Sequence, residues 1–555
     1  MEDILSRFLE KTEFSSYEDF KANYRLKIPE DFNFAFDVID VLAAEDPDRR
    51  ALVWCDDHGG ERILTMRDIS RDSARIANWF RSLGIRKGDR VMLIMCRYFR
   101  YWEVIIALHK IGAVAIPATN LLQPHDISYR VKAAGIRMVV TSHNQHVFES
   151  VAGAQPETPV EFLVSTGGES PEGWLNLDEN MAKFPDSFRR PTGDEATHNG
   201  DAMLCYFTSG TTGHPKIVRH NFLYPFGHIV TARYWQHCMP GGLHLTLADT
   251  GWAKAAWGKL YGQWLAGSAI MAYDMDKFHA SDVMNVIAKY KVTTFCAPPT
   301  VFRFMIQEDL SKYDWSSVKR CAIAGEALNP EVFNKFKELT GLTLNEGFGQ
   351  TESPVLVGNF LWVTPKPGSM GKPSAAFDMD VIDDEGRSCP PGVEGEIVAR
   401  CRGGEIPCGL LDGYGLDQKV WENPSVWKNN CYYTGDLGWK DEDGYFWYIG
   451  RDDDVIKSSG YRIGPFEVES ALQEHPAVVE CAVTGVPDPK GERGIVVKAT
   501  VVLAPGYVGD EAMVKELQNH VKKTTAPYKY PRIVEFVREL PKTTSGKIRR
   551  VDLRK

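Results

Sequence analysis

The chain has 555 residues, which at roughly 150 residues per domain excludes a single small module. Hydrophobic residues make up 43% and charged residues 25%, a balance that lets a large core form without disulfides or a structural metal. A formal net charge of −10 argues against non-specific nucleic-acid binding and leaves only a local basic pocket for a small anion.

The eleven cysteines, from Cys55 to Cys481, contain no C-x-x-C pair, so the usual zinc frameworks are absent and a reducing compartment is expected. The opening run MEDIL is acidic from Glu2 and does not read as a secretory signal. The most apolar stretch, 104–122, is interrupted by His109, Lys110 and Pro117 and is not expected to span a bilayer. A cytoplasmic enzyme is the expectation.

In chain order, helix-period stretches alternate with short β-rich runs. Val104, Ile105, Leu108 and Ile111 fall on one helical face before the strand 113–116, which ends at Pro117. Residues 204–207 (LCYF) read as a strand. Val283, Val286, Ile287 and Tyr290 share a face before the strand 292–297. Asn329 and Pro330 start a helix with Val332, Phe333, Phe336 and Leu339 on one face, and Gly341 ends it before 342–344. This alternation predicts βαβ units and mostly parallel sheets. From about 375 the grammar changes: 378–382 and 396–400 read as strands separated by turns. After a charged, glycine-flanked linker at 450–460, a helix begins at Gly464 and Pro465, with Val468, Ala471 and Leu472 inward and Pro476 closing it. No repeat of 20–50 residues and no low-complexity tract is present. The expected architecture is α/β. A large N-terminal domain, 1–451, carries βαβ sheets and a β-rich subdomain at about 375–450. A small C-terminal α/β domain covers 452–555.

The strand at 204–207 runs into TSGTTGHPK, residues 208–216. Gly210 and Gly213 let the backbone aim several N–H groups at one point; Thr208, Ser209, Thr211 and Thr212 add hydroxyl donors, and Lys216 supplies a cation. Such a loop suits a di- or triphosphate. It is not a Walker A loop, because the glycine spacing is too short and Pro215 precedes the lysine. A second polar run, NEGFGQTE at 345–352, follows a predicted strand, where α/β folds place ligands.

The 208–216 loop resembles the phosphate loop of the adenylate-forming superfamily of acyl-CoA synthetases, peptide-synthetase adenylation domains and beetle luciferases. Further motifs match in the family's order. The resemblance implies that Glu346, Gly347, Phe348, Gly349 and Gln350 surround AMP, with Phe348 bordering adenine where many relatives have Tyr. It gives Thr351 the α-phosphate and Glu352 the Mg²⁺ ion. Gly325, Glu326 and Ala327 match the segment that lines adenine; Asp436, in YTGD at 433–436, matches the residue on the ribose hydroxyls, and Arg451 another ribose contact. Asp453, between Asp452 and Asp454, matches the hinge of a mobile C-terminal domain. Lys547, in PKTTSGK at 541–547, matches the lysine of the adenylation half-reaction. Ser459, Gly460 and Arg462 match the segment that contacts CoA.

The implied chemistry is ATP-dependent activation of a carboxylic acid to acyl-AMP with loss of pyrophosphate, then transfer to CoA with loss of AMP. Withdrawal of Lys547 by rotation about Asp453 separates the steps. The implied partners are a carboxylic acid, ATP with Mg²⁺ and CoA, with no nucleic acid; a homo-oligomer is compatible with the sequence. The segments 443–447 and 458–469 are most similar to medium-chain acyl-CoA synthetases, which places the chain in fatty acid metabolism; the similarity runs from about Phe34 and leaves residues 1–33 unexplained. Acetate-activating relatives carry Trp where this chain has Gly349, so a longer pocket for acids larger than acetate, such as medium-chain acids, is expected, and Gly349→Trp is expected to shift preference toward acetate or propionate; a bulky Trp in the tunnel would instead favour short or branched acids. Trp252, Lys254 and Trp257 are expected along the acyl tunnel, with Trp257 either lining or closing it. His237 is a minor candidate for a gate, and His143 with His146 reads as an exposed helix or turn rather than a metal site. The alternative acceptor is a carrier protein. A regulator that had lost its chemistry should show lesions at Lys216, Glu352 or Lys547, and all three residues are present.

Overall fold

The computed structural model describes residues 3–208, 215–326, 328–401, 405–458, 461–489, 494–542 and 548–554, without the side chain of Arg462. Of the proposed site residues, Ser209, Gly210, Thr211, Thr212, Gly213, Ala327, Ser459, Gly460, Lys547 and the Arg462 side chain therefore lie outside the described residues.

Two large sheets carry most of the chain. In the first, Arg90–Ile94 sits at the centre and pairs in parallel with Val114–Pro117 and Ile136–Ser142; beyond Val114–Pro117 lies Ala202–Thr208, which turns back antiparallel into Lys216–Asn221. The second contains the parallel run Ala269–Asp274, Leu243–Thr246, Thr294–Ala297, Arg320–Ile323 and Leu344–Phe348. The β-rich stretch expected for 375–450 is antiparallel, as Asp378–Ile382, Gly395–Arg400, Cys431–Lys440 and Phe446–Arg451. These strands are not a separate sheet: Ser369–Pro373 and Val357–Gly358 join them to Leu344–Phe348 by continuous hydrogen bonding. They still pack on a core of their own, around Val381, Ile397, Tyr432 and Phe446. The C-terminal part has another core, under the three-stranded sheet Val478–Pro487, Ile495–Leu503 and Ile533–Phe536 and the helices Pro465–Gln473 and Glu511–Thr524.

The helices form where the sequence signals place them. Asn329 accepts from the Glu331 amide at 2.8 Å, Pro330 opens the helix Pro330–Thr340, and Gly341 ends it at φ +72°. Val332, Phe333 and Phe336 are buried beneath it, each worth about 1.5–3 kcal/mol of transfer from water. Leu339, expected on that face, is 42% exposed in the last turn of the helix. The helix Arg100–Ile111 differs from its predicted single apolar face: every residue from Tyr101 to Ile111 is buried. Its polar members are met inside, Lys110 by Asp40 at 2.7 Å and His109 by the Tyr261 hydroxyl at 2.9 Å.

Residues before Phe34, which sequence motifs left without a role, are part of the principal core. Leu5, Phe20, Phe32 and Phe34 have no exposed surface. Phe8 meets Phe226 edge-on with centroids 5.5 Å apart, and Tyr17 donates to the Pro373 carbonyl at 2.8 Å. Among the described residues no helix is long and apolar enough to cross a membrane.

Candidate active site

The parallel strands of the second sheet end at one edge. There Arg320–Ile323 leads into Gly325 and Glu326, and Leu344–Phe348 leads into Gly349, Gln350, Thr351 and Glu352. Gln350 is the organising side chain. Its Nε2 donates to the Asp436 carboxylate at 2.5 Å and to the Thr434 carbonyl at 2.7 Å, while its Oε1 accepts from the Tyr432 hydroxyl at 2.8 Å. Asp436, 4% exposed, also accepts from Tyr448 at 3.3 Å. Arg451 lies directly across the strand pair from Asp436, with its Nη1 3.8 Å away. The aromatic ring of Phe348 stands 6.4 Å from that of Tyr448, so ring, carboxylate and guanidinium share one rim.

The segment 351–353 is clamped by its carbonyls. His220 donates from Nε2 to the Thr351 carbonyl at 2.9 Å, the Leu411 amide to that of Glu352 at 2.7 Å, and the Trp257 indole to that of Ser353 at 3.1 Å. The Glu352 side chain accepts from the Tyr414 hydroxyl through Oε1 at 3.0 Å; among the described residues its Oε2 makes no hydrogen bond. Lys216 stands on the same side, exposed, with its Nζ 5.9 Å from the Tyr414 ring. Thr208 and Lys216 pair with each other across the hairpin, so the ends of the glycine-rich loop are fixed although 209–214 lie outside the described residues.

Other expected residues sit differently. Glu346 is 5% exposed, and burial pushes its carboxyl up to about 8, so it is neutral near pH 7. A Cβ on Gly347 would stand 2.5 Å from the Trp235 indole, whose Nε1 donates to the Glu346 carbonyl at 3.1 Å. Glu346 and Gly347 thus line the inside of the strand rather than its rim. Glu326 accepts from Thr300 at 2.9 Å. Lys254 donates to the Ala324 carbonyl, which anchors this cation just past the end of the strand Arg320–Ile323. His237 occupies a left-handed turn at φ +63°. His143 packs against Phe148 beside the helix cap at Asn144.

The expected extra room at Gly349 is not there. A Cβ at this position would lie 2.3 Å from the Pro354 carbonyl oxygen and 2.5 Å from the Trp257 ring. The indole of Trp257, 5% exposed, already fills the space that a bulky residue at 349 would take. Gly349 is needed for close approach, and a tryptophan there cannot be added to the existing packing. Trp252 is half-buried, two residues before the helix Lys254–Gly258 that carries Trp257.

Sequence reasoning missed Tyr414, Tyr432, Tyr448, Trp235 and His220. Tyr432 stands next to the quoted YTGD run and His220 four residues after Lys216, so proximity to motifs was their only signal. Tyr414 comes from a two-residue strand with no motif of its own.

Comparison with known proteins agrees with this geometry. A family model described as AMP-binding enzyme matches residues 39–407, and one described as AMP-binding enzyme C-terminal domain matches 467–547. The chain is 42% identical over 552 residues to acyl-coenzyme A synthetase ACSM3, mitochondrial, of Mus musculus, covering 98% of this chain and 93% of that protein. It is likewise 42% identical to acyl-coenzyme A synthetase ACSM5, mitochondrial, of Mus musculus, over 96% of this chain and 91% of that protein. The matched length takes in nearly all of the chain, so the likeness is not confined to residues beyond Phe34. Among solved structures, the anthranilate CoA ligase AuaEII in complex with anthranoyl-AMP has a TM-score of 0.84 at 29% identity, covering 95% of this chain and 97% of its own. The Brucella canis acyl-CoA synthetase has a TM-score of 0.74 at 30% identity, covering 98% of each chain.

Proposed function

Since the chain belongs to the AMP-forming acyl-CoA synthetases of the adenylate-forming superfamily, we propose that the rim formed by Phe348–Glu352, Asp436 and Arg451 is where its acyl-adenylate is made. The enzyme uses ATP, Mg²⁺ and CoA. A carboxylate is a poor acyl donor because its leaving group is oxide; converting it to a mixed anhydride with AMP divides one hard displacement into two easier ones.

The observation that carries the reading is the Gln350 bridge. It ties Asp436, a carboxylate able to accept two ribose hydroxyls, to Thr351 and Glu352, which are its immediate neighbours in the chain. Phe348 then supplies a face for adenine, Gly325 and Glu326 its border, and the Thr351 hydroxyl a donor to the α-phosphate. Thr208, Lys216 and the loop between them receive the outer phosphates. The donor set fits magnesium: this ion takes one or two protein carboxylates and leaves its other positions to phosphate and water, and Glu352 presents one such carboxylate braced by Tyr414. When bound, the ion neutralises phosphate charge. Lys547 provides a further cation as charge builds on phosphate and leaving group.

The hinge assignment at Asp453 rests on anchorage. The Asp452 amide donates to Gly435 at 3.0 Å, in the large part, whereas the Asp454 side chain is held by Arg554 and lies 3.8 Å from Arg550, in the C-terminal part. The change of attachment falls between them. Asp453 is thus the proposed pivot between the two parts, 1–451 and 452–555, with Asp452 still tied to Gly435 of the large part. Rotation there brings Ser459, Gly460 and Arg462 to CoA.

Trp257 ends the acyl space behind Gly349, which supports short or branched acids over long linear ones. All eleven cysteines are free, in keeping with a reducing compartment; the cytoplasm is our assignment, although the relatives named above are mitochondrial. The test is a panel of linear, branched and aromatic acids with ATP and Mg²⁺. Acid-dependent pyrophosphate exchange followed by CoA-dependent AMP release is the expected result. Exchange without CoA-dependent turnover would favour a carrier protein as acceptor.

A further inference from the structure

We infer that His220 is a positioning residue for adenylation: its imidazole ties the strand that leaves the phosphate loop to the backbone of Thr351. The inference rests on the adenylation reading above and extends it to a residue outside the motifs quoted in the sequence analysis.

Three consecutive carbonyls, at 351, 352 and 353, are each held by a donor from a different element. Leu411 and Trp257 reach them from a loop and a short helix. His220 alone reaches them from Lys216–Asn221, the strand whose first residue closes the phosphate loop. This side-chain contact thus joins directly the two segments proposed to grip the same triphosphate, beside the longer route through Asp412 and Leu411. A carbonyl can only accept, so Nε2 carries the proton. The ring is fully buried and stacks on Tyr224 with centroids 3.8 Å apart, which fixes its plane. Burial pushes its pKa down to about 4, so the ring stays neutral through the working range. Among the described residues Nδ1 has no hydrogen-bond partner, leaving the Nε2 contact as its defining polar interaction. His220 touches no reacting atom; it acts through Thr351.

The test compares His220→Gln, His220→Asn and His220→Ala in the full-length enzyme. A glutamine amide can reach the position of Nε2, whereas an asparagine amide stops at that of Nδ1. Pyrophosphate exchange reads the first half-reaction, and thioester formation from synthetic acyl-AMP and CoA reads the second. His220→Ala and His220→Asn should lose about 10- to 100-fold in exchange kcat, the usual cost of losing a partner that orients a ligand-binding group. Thioester formation should stay within about twofold, and His220→Gln should recover most of the lost exchange. Wild-type exchange rates in His220→Ala, equal exchange in the glutamine and asparagine variants, or equal losses in both half-reactions would overturn the assignment. Should His220→Ala fail to fold, the glutamine–asparagine pair decides alone. Absence of exchange in the wild-type enzyme is a separate result: it would remove the adenylation reading itself, and this assignment with it.

Discussion

Replacing Trp257 with alanine should lengthen the acyl space and weaken the fold in separable amounts. The indole is 5% exposed, meets Trp235 edge-on at 6.1 Å and donates to the Ser353 carbonyl at 3.1 Å. Truncating such a side chain costs about 3–5 kcal/mol, part of it from the carbonyl left without a donor. The vacated volume lies behind Gly349, so a longer linear acid can extend into it. Each buried methylene contributes about 0.8 kcal/mol, or about fourfold in kcat/KM, and three of them about 60-fold. The assay is thioester formation with linear acids of increasing length, beside the thermal midpoint. Wild type should decline beyond short chains while Trp257→Ala keeps rising. Trp257→Phe, which keeps one ring and loses the bond to Ser353, should fall between. A folded Trp257→Ala enzyme with the wild-type chain-length profile would refute the claim that this indole closes the pocket.

Gly349→Ala should lower stability by about 1–3 kcal/mol, because its Cβ meets the Pro354 carbonyl at 2.3 Å; an unchanged thermal midpoint would contradict the packing. By the same contact Gly349→Trp should fold poorly instead of turning toward acetate. The Glu346 carboxyl is raised to about 8 by burial, so the folded state holds a proton that the unfolded state gives up near the usual carboxylate value of 4.5. Its contribution is complete below pH 4.5 and is lost as pH rises through 8, with a slope of up to about 1.4 kcal/mol per pH unit. Denaturant titrations from pH 5 to 8 should show that slope flattened in Glu346→Gln. Lys547→Ala should cripple pyrophosphate exchange yet spare thioester formation from preformed acyl-AMP; equal loss of both would contradict the two-position account of the C-terminal part.

Local rules made much of this fold legible. The helix Pro330–Thr340 needed only Asn329, Pro330 and Gly341 to be bounded correctly. The parallel strands followed from short apolar runs after helices. Four apolar residues on one face made the helix Arg100–Ile111 legible, but not the burial of its polar residues: Glu103 pairs with Arg100 of the same helix, whereas Tyr261 and Asp40 are brought to His109 and Lys110 by tertiary packing. The N-terminal segment was opaque for a similar reason, since Phe8, Phe20 and Phe32 have no periodic pattern and gain meaning only against Phe226 and Phe360. At the site, residues within motifs were visible. Gly349 shows the limit: absence of a side chain reads as space in a sequence, but here a residue 92 positions earlier fills it.

Where an acyl-adenylate binds decides whether Phe348–Glu352, Asp436 and Arg451 form the active site. A crystal structure of the enzyme with a non-hydrolysable acyl-adenylate analogue should place the ribose hydroxyls on Asp436, the base against Phe348, the phosphate mimic at Thr351 and the acyl group pointing to Trp257. An analogue bound elsewhere, with Asp436 still engaged only by Gln350 and Tyr448, would contradict it.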